Sequence, residues 1–598
     1  MPNNKKVSIG CASGFWGDTS TAAKQLVDDN NIDYLVFDFL AEVTMSILAG
    51  AKTKNPDLGY ATDFVTQLSP LLKDINKNKI KVISNGGGIN PESCRSALIK
   101  EAEKSGLKLK IAVVYGDNLL DDLVNLKKSN LKEIDSNASL PEKVLSINSY
   151  LGAAGIVSAL EEGADIVITG RCVDSAMVLG PLMYEFNWKY NDYNLLASGS
   201  LAGHIIECGA QCTGGNYTDW EDITGFDNMG FPIVEVESNG DFTVTKPAGT
   251  GGLVSFGTVG EQLLYEIGNP SHYILPDVIC DFSQVTIKDL GNNLVQLKNA
   301  KGLPPTDTYK VSATYMNGYN VIGKLVIGGM KAKKKGEIIA NAIIKKSLRI
   351  LRENNFAPFS ESKFDLIGTN SIYGSKGINQ DSKEIVLRIM AKHEKKEALI
   401  LFSKEIAQAV TGMAAGVMNY MGGRPRVSRS IHLFSFLLNK NKVRVGIDFN
   451  DKKKLISIHS IKGLEAPINK SRVIPSLQEL TLDKTVPLIQ LAYARSGDKG
   501  DHANIGIIAR RSEYLPFIQN ALTEKTVALY FEHVLNGKVK SWDVPGISGL
   551  NFLLKNSLGG GGMSSLNIDP QGKSYAQQIL EYEIPVTSSI ADKSKLGL

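Results

Sequence analysis

Short apolar runs alternate with amphipathic stretches through the first third of the chain. Runs at 7–9, 33–39, 81–84, 109–115 and 165–169 are rich in Val, Ile, Leu and Phe and read as strands. Helical periodicity leads from the first run to about residue 28, then recurs over 41–51, 63–76, 91–105, 144–162 and 175–186. Buried strands separated by helices predict a doubly wound, mostly parallel sheet covered on both faces. Ligands of such sheets sit beyond the carboxyl ends of the strands.

From residue 231 the pattern changes. A hairpin is expected over 233–236 and 242–244, with Asn239-Gly240 in its turn, then a glycine-rich loop at 246–255 entering a helix over 258–266. Residues 277–460 read as α+β, with strands near 278–282, 309–313, 325–327, 364–368 and 385–391. Helices are expected over 336–353 and 397–421, the latter apolar on most sides and so central, and a hairpin over 431–448. Pro467, Pro475 and Pro487 mark 464–487 as a linker. The remainder predicts a small α/β sandwich: strands at 488–494, 505–509 and 538–542, with helices over 514–522, 526–533 and 549–558. The expected layout is a core at 1–463, divisible into 1–230 and 231–463, then the linker and a domain at 488–598.

A chain of 598 residues exceeds one ordinary core, which agrees with several domains. A net charge of +4 is nearly neutral at this length and argues against nucleic-acid binding. No run reaches the ~18 apolar residues that span a bilayer, so no membrane partner is expected. The opening MPNNKKVSIG resembles neither a signal nor a transit peptide, and six scattered cysteines do not make a disulfide framework. A cytoplasmic location is expected, with a mitochondrial matrix as the alternative.

The residues just beyond the early strands make up a candidate site. Ser13, Gly14, Trp16, Gly17 and Asp18 come after the first, Asp38 after the second, and Asn85, Gly86, Gly87 and Asn90 after the third, Asn90 as a helix N-cap. Asp117 comes after the fourth; Arg171 and Asp174 come after the fifth. Glycine turns entering helices expose N–H groups that suit phosphate or carboxylate, or else their glycines only relieve crowding. The spacing G-x-x-x-G-x-x-G is not the dinucleotide fingerprint, although Asp38 stands where a ribose-binding acid would. His204, Cys208 and Cys212 are spaced to share one helix face. That face spreads them over ~12 Å, so at most two would bind one metal; core packing is the alternative. Glu207 is a candidate base beside Asn216. Secondary candidates are Lys246 at the second glycine loop, Arg424 in an arginine-rich turn, and Arg495, Asp498, Asp501 and His502 in the stretch 495–504. The last three suit a divalent ion opposed by Lys499, with His502 as an acid or base instead, or a self-satisfied turn as the default.

The motifs GCASGFWGD, NGGGINP, TGRCVDSA, GHIIECGAQCTGGN, KPAGTGGLVS, LAYARSGDKGDHANIG and LGGGGMSSLNIDPQGK together resemble the acyclic terpene utilisation AtuA family over nearly the whole chain. The resemblance implies an AtuA core followed by a ferredoxin-like C-terminal domain, and a role in branched acyl-CoA or carboxylate catabolism beside acyl-CoA carboxylases and dehydrogenases. It supplies no reaction, cofactor, metal or catalytic residue. The expectation is therefore a hydratase or lyase, with the anion at the turns 13–18 and 85–90. Asp38, Glu207 and His204 are its catalytic candidates, and Asp117, Arg171 and Asp174 line its pocket. Alternatives are a non-catalytic subunit or scaffold for an acyl-CoA carboxylase-type partner, and a nucleotide-binding protein. A homo-oligomer stands as the alternative to a carboxylase-type partner.

Overall fold

A computed structural model describes residues 5–377, 382–458, 472, 474–562 and 564–595. Five parallel strands form the middle of an eleven-stranded sheet, in the order Lys6–Cys11, Tyr34–Phe37, Lys81–Ser84, Ile166–Thr169 and Ile111–Tyr115. Alternate residues divide between its two faces. Leu35, Phe37, Val82, Val113 and Ile168 pack under helices that include Ala22–Asp29, Glu42–Lys54 and Pro91–Lys104. Ile9, Val36, Ile83, Val114 and Val167 pack under Ala154–Glu161, Ala176–Phe186 and Tyr193–Ile206. This is the doubly wound α/β sheet expected.

The sheet is extended by antiparallel strands from later in the chain. Ile233–Glu237 and Phe242–Thr245 form the expected hairpin beside the first strand, and Gly446–Phe449 joins the other edge. Strands from both sides of residue 230 thus share one sheet, and the two expected lobes do not separate.

A second sheet is built on one 21-residue strand, Thr308–Gly328, where two strands at 309–313 and 325–327 were expected. The expected hairpin at 431–448 is divided between sheets: Ser428–Asn439 pairs with the long strand and Gly446–Phe449 with the first sheet. Two expected helices are shorter. The one placed over 144–162 is a buried strand, Ser146–Ser149, followed by helix Ala154–Glu161. The break falls at Gly152, which lies against Asp277, whose carboxylate accepts the Ala153 N–H at 2.9 Å. Helix Lys396–Gly412 stops at its glycine and Val417–Tyr420 is a strand. Only one of its faces is buried, through residues such as Leu399, Phe402 and Ile406, so it covers a sheet rather than filling a core.

The C-terminal unit is a four-stranded antiparallel sheet in the order Ala492–Lys499, His502–Ala509, Gly549–Leu554 and Val539–Val544. Residues 495–504 are therefore the two arms of a tight hairpin rather than a loop. Gly549–Leu554, expected as a helix, is a central strand paired on both sides. Of the expected linker, 464–471 and 473 lie outside the described residues. Lys484–Pro487 is a strand paired with Glu583–Val586. Among the described residues no helix is long and apolar enough to cross a membrane.

Candidate functional site

Register brings the ends of the parallel strands side by side. Asp38 and Asn85 come after neighbouring strands, and the Asn85 amide donates to Asp38 Oδ1 at 2.7 Å while its oxygen accepts the Phe39 N–H at 2.8 Å. Ser13 Oγ donates to the Asp38 carbonyl at 3.0 Å. Arg171 Nη1 donates to the Leu40 carbonyl and to Asp174 Oδ1, both at 2.7 Å, and the guanidinium stacks 4.4 Å from the Tyr150 ring centre. Asp117 Oδ2 accepts the Arg171 N–H at 2.8 Å and the Asn148 amide at 2.9 Å. A Cβ on Gly170 would lie 2.4 Å from that carboxylate, so glycine permits the approach. Ser13, Asp38, Asn85, Asp117, Arg171 and Asp174 thus lie along one rim.

The second wall comes from the end of helix Tyr193–Ile206. The helix stops there, and Gly209–Thr213 is a separate short turn, so His204, Cys208 and Cys212 do not share a helix face. Cys212 is fully buried packing; all six cysteines are free. His204 is 1% exposed. Its Nε2 lies 3.2 Å from the Leu263 carbonyl and its Nδ1 3.0 Å from Glu207 Oε1. A carbonyl only accepts, so Nε2 carries a proton, and the contact at Nδ1 requires a further proton shared between imidazole and carboxyl. His204 has no nitrogen left for a substrate. It positions Glu207 and is not itself a catalytic residue, which corrects the expectation.

The third wall is contributed by the C-terminal unit and by two segments of the core that sequence reasoning missed. Helix Phe256–Leu264 ends at Tyr265 and Glu266, and Glu266 adopts φ 56°, a conformation rare for such a residue. Asn504 holds it there, accepting the Glu266 N–H at 2.9 Å and donating to the Leu264 carbonyl at 2.6 Å. Lys573 reaches the Tyr265 hydroxyl and lies 3.7 Å from Glu266 Oε1. Lys499 stands over the Tyr273 ring at 5.4 Å. The positive φ and the distance of 308 residues between Tyr265 and Lys573 explain the omission. A glutamate at the end of an apolar helix carries no local mark of function.

These groups are crowded by protein yet open to solvent, the signature of a cleft. The side chains of Asp174, Glu266 and Lys573 are 35%, 33% and 43% exposed, whereas Glu207 is 11% exposed. Their charges act on one another. Burial, then Asp174, pushes the Asp38 carboxyl well above the usual carboxylate range against the pull of Arg171 and Asn85. Burial raises Glu207, with His204 offsetting part of the shift. Burial and then Asp498 lift Glu266 strongly, opposed by Lys499. Burial, then Glu207 and Glu266, raises the Cys208 thiol and makes it a poor nucleophile, while burial lowers Lys573. Carboxyls with displaced affinities beside cations in a cleft suit general acid–base work.

Other candidates serve the scaffold. Asp18 turns its carboxylate back onto the Gly14 and Thr19 N–H groups at 2.9 and 2.7 Å, so this turn already holds an anion of its own. Trp16 packs against the apolar layer and Gly17 is exposed. In the loop 85–90, Gly86 donates to Ser84 Oγ, Gly88 to the Asn85 carbonyl and Asn90 to the Gly87 carbonyl. Gly87 is packed against Thr169, Pro91 and Ile168. Asn90 does not cap its helix; its amide bridges the Pro56 and Leu58 carbonyls. Both turns thus spend part of their N–H groups within the fold. Buried Asp38 is held by Asn85 and is not poised for a ribose.

Asn216 is exposed. Lys246 closes its own loop by donating to the Thr250 carbonyl at 2.7 Å, and Arg424 is exposed beside the second sheet. Arg495 is buried against Glu261, Gln211 and the Gly215 carbonyl. Asp498 faces Glu266, but Asp501 accepts the Gly560 N–H at 2.6 Å, and His502 accepts the Asn556 N–H at 3.0 Å and pairs with Asp135. The three do not form a metal set, and among the described residues no group of three His, Cys, Asp or Glu is placed to hold a metal ion.

Comparison with curated proteins found no match, and comparison with solved structures found none. Residues 486–585 match the AtuA ferredoxin-like domain. Residues 7–449 match the family described as acyclic terpene utilisation family protein AtuA, about three quarters of the chain, so the chain belongs to that family.

Proposed function

We propose that this chain is a lyase or hydratase acting on a branched acyl-CoA or related carboxylate, with Glu207 and Glu266 as its proton-transferring pair. The observation that supports this reading is the arrangement of these carboxyls in one cleft. Glu207 is tied to a buried imidazole, while Glu266 is held in a strained backbone conformation opposite Lys573. Burial keeps Glu266 protonated further above the usual carboxylate range, which suits an acid; the imidazole beside Glu207 favours its ionised form, which suits a base.

In dehydration of a 3-hydroxyacyl group, Glu207 takes the proton from the carbon next to the carbonyl. Its C–H electron pair becomes the new double bond, the C–O bond breaks, and Glu266 gives its proton to the departing hydroxide, which leaves as water. The reverse sequence is hydration. The chain's affiliation with AtuA supports the branched substrate class.

The test uses purified protein with branched 3-hydroxyacyl-CoA esters, monitoring enoyl formation and exchange of the α-proton with deuterated water. Glu207→Gln and Glu266→Gln should each lower turnover by roughly 10²–10⁴-fold, and only Glu207→Gln should abolish exchange. His204→Asn should move the acidic limb of the pH profile upward, because the imidazole lowers Glu207. Unchanged turnover in either glutamine variant would remove the assignment.

A further inference from the structure

From the lysines that overhang the cleft we infer that the C-terminal domain completes the substrate site, with Lys499 and Lys573 clamping the anionic group of the substrate. This rests on the acid–base reading of Glu207 and Glu266 and adds a grip on the other end of the molecule.

Both ammonium groups come from the C-terminal domain and stand over tyrosines of the core. Lys499 Nζ is 5.4 Å from the Tyr273 ring centre and Lys573 Nζ is 4.5 Å from that of Tyr265. Lys573 also reaches the Tyr265 hydroxyl and Glu266, and 43% of its side chain stays exposed. The base of Lys573 is rigid. Asp569 accepts the N–H groups of Lys573 and Ser574 at 3.0 and 2.7 Å, and Ser496 Oγ donates to the Gly572 carbonyl at 2.6 Å. Ser496 lies on the strand that ends at Lys499, so one short segment fixes the origin of both lysines. The strand also meets the core at Gly497, where a Cβ would lie 2.5 Å from Tyr265 and 2.9 Å from Glu266. Glycine lets the hairpin lie against the residues it serves.

Two donors fixed at one edge of a cleft, with the carboxyl pair deeper within, suit a ligand with an acidic end and a reacting centre. The acidic end is a phosphate or a carboxylate, which present the same acceptor oxygens to lysine. A role limited to offsetting the cleft carboxyls would leave binding of such ligands unchanged when the lysines are replaced.

Calorimetric titration of the full chain at low salt separates these. The probes are free coenzyme A, isovaleryl-CoA and 3-methylglutarate, against wild type, Lys499→Gln, Lys573→Gln, Lys573→Arg and the exposed control Lys540→Gln. Each cleft glutamine should weaken binding by roughly ten- to a hundredfold, with Lys573→Arg retaining most affinity and Lys540→Gln all of it. An effect confined to the two CoA probes identifies a phosphate; one confined to 3-methylglutarate identifies a carboxylate. Undiminished affinity in both glutamine variants overturns the clamp while leaving the Glu207–Glu266 pair standing. Failure of wild type to bind any probe overturns both.

Discussion

At the scale of single residues, a side chain's partners decide how much of it is left for a ligand. Asp18 and Asp117 are both acids beyond strand ends, and both spend their oxygens on backbone or amide N–H groups within the fold. Asp117 nevertheless leaves a measurable trace. Burial, opposed by the Arg171 N–H and the Asn148 amide, pushes its carboxyl up to about 6 from 3.8. Between about pH 4 and pH 6 the folded protein therefore keeps a proton that the unfolded chain has released. Stability falls as pH rises through that window, by about 3 kcal/mol in total, and the term is constant above it. Asp117→Asn has no such proton. Its stability to urea, less that of wild type, should climb from pH 4 to pH 6 and then level. Parallel curves for the two proteins would show that Asp117 stays ionised when buried.

At the scale of elements, glycine turns that read as ligand cradles also serve close packing. A Cβ on Gly14 would lie 2.8 Å from the Cys208 carbonyl carbon, so the first strand's turn touches the turn that carries Glu207. Gly14→Ala should displace Glu207 and reduce turnover while costing about 1–3 kcal/mol of stability. Full activity at reduced stability would show that the two turns move independently. The same glycines show how far sequence can reach. Their grouping after the strands located the rim, because apolar runs such as Ile111–Tyr115 and Ile166–Thr169 declare parallel strands by composition. Which N–H groups stay open depends on partners such as Ser84 and Asp18, and periodicity carries no such information. Gly549–Leu554 was misread for a related reason: Asn-Phe-Leu-Leu suits helix and strand alike, and pairing on both sides decided for the strand.

At the scale of the whole molecule, the cleft exists because the C-terminal unit is fastened to the core by buried polar contacts. Asp38, Asn85, Arg171 and Asp174 were legible as a group because one sheet orders them. Glu266, Lys499 and Lys573 meet only through docking of segments distant in the chain, which no local pattern encodes. The fastening centres on Arg495, which pairs with Glu261 at 3.0 Å when the two side chains are 5% and 1% exposed. Thr218 Oγ1 braces the same strand by donating to the Ala494 carbonyl at 3.0 Å, and Arg510 grips Asp219 with two hydrogen bonds. Removing one partner of a buried pair strands the other charge, so Arg495→Met should cost about 3–5 kcal/mol. Replacing both partners by apolar groups, Arg495→Met with Glu261→Leu, should recover much of that loss. Arg495 also holds Gln211 and the Gly215 carbonyl, next to the turn bearing Glu207, and Lys499 lies further along its own strand. Hydrogen exchange in the single variant should therefore rise in two places together, the turn Gly209–Thr213 and the strand Ala492–Lys499. Exchange that rises in the C-terminal strand alone would mean that the core shapes its side of the cleft unaided.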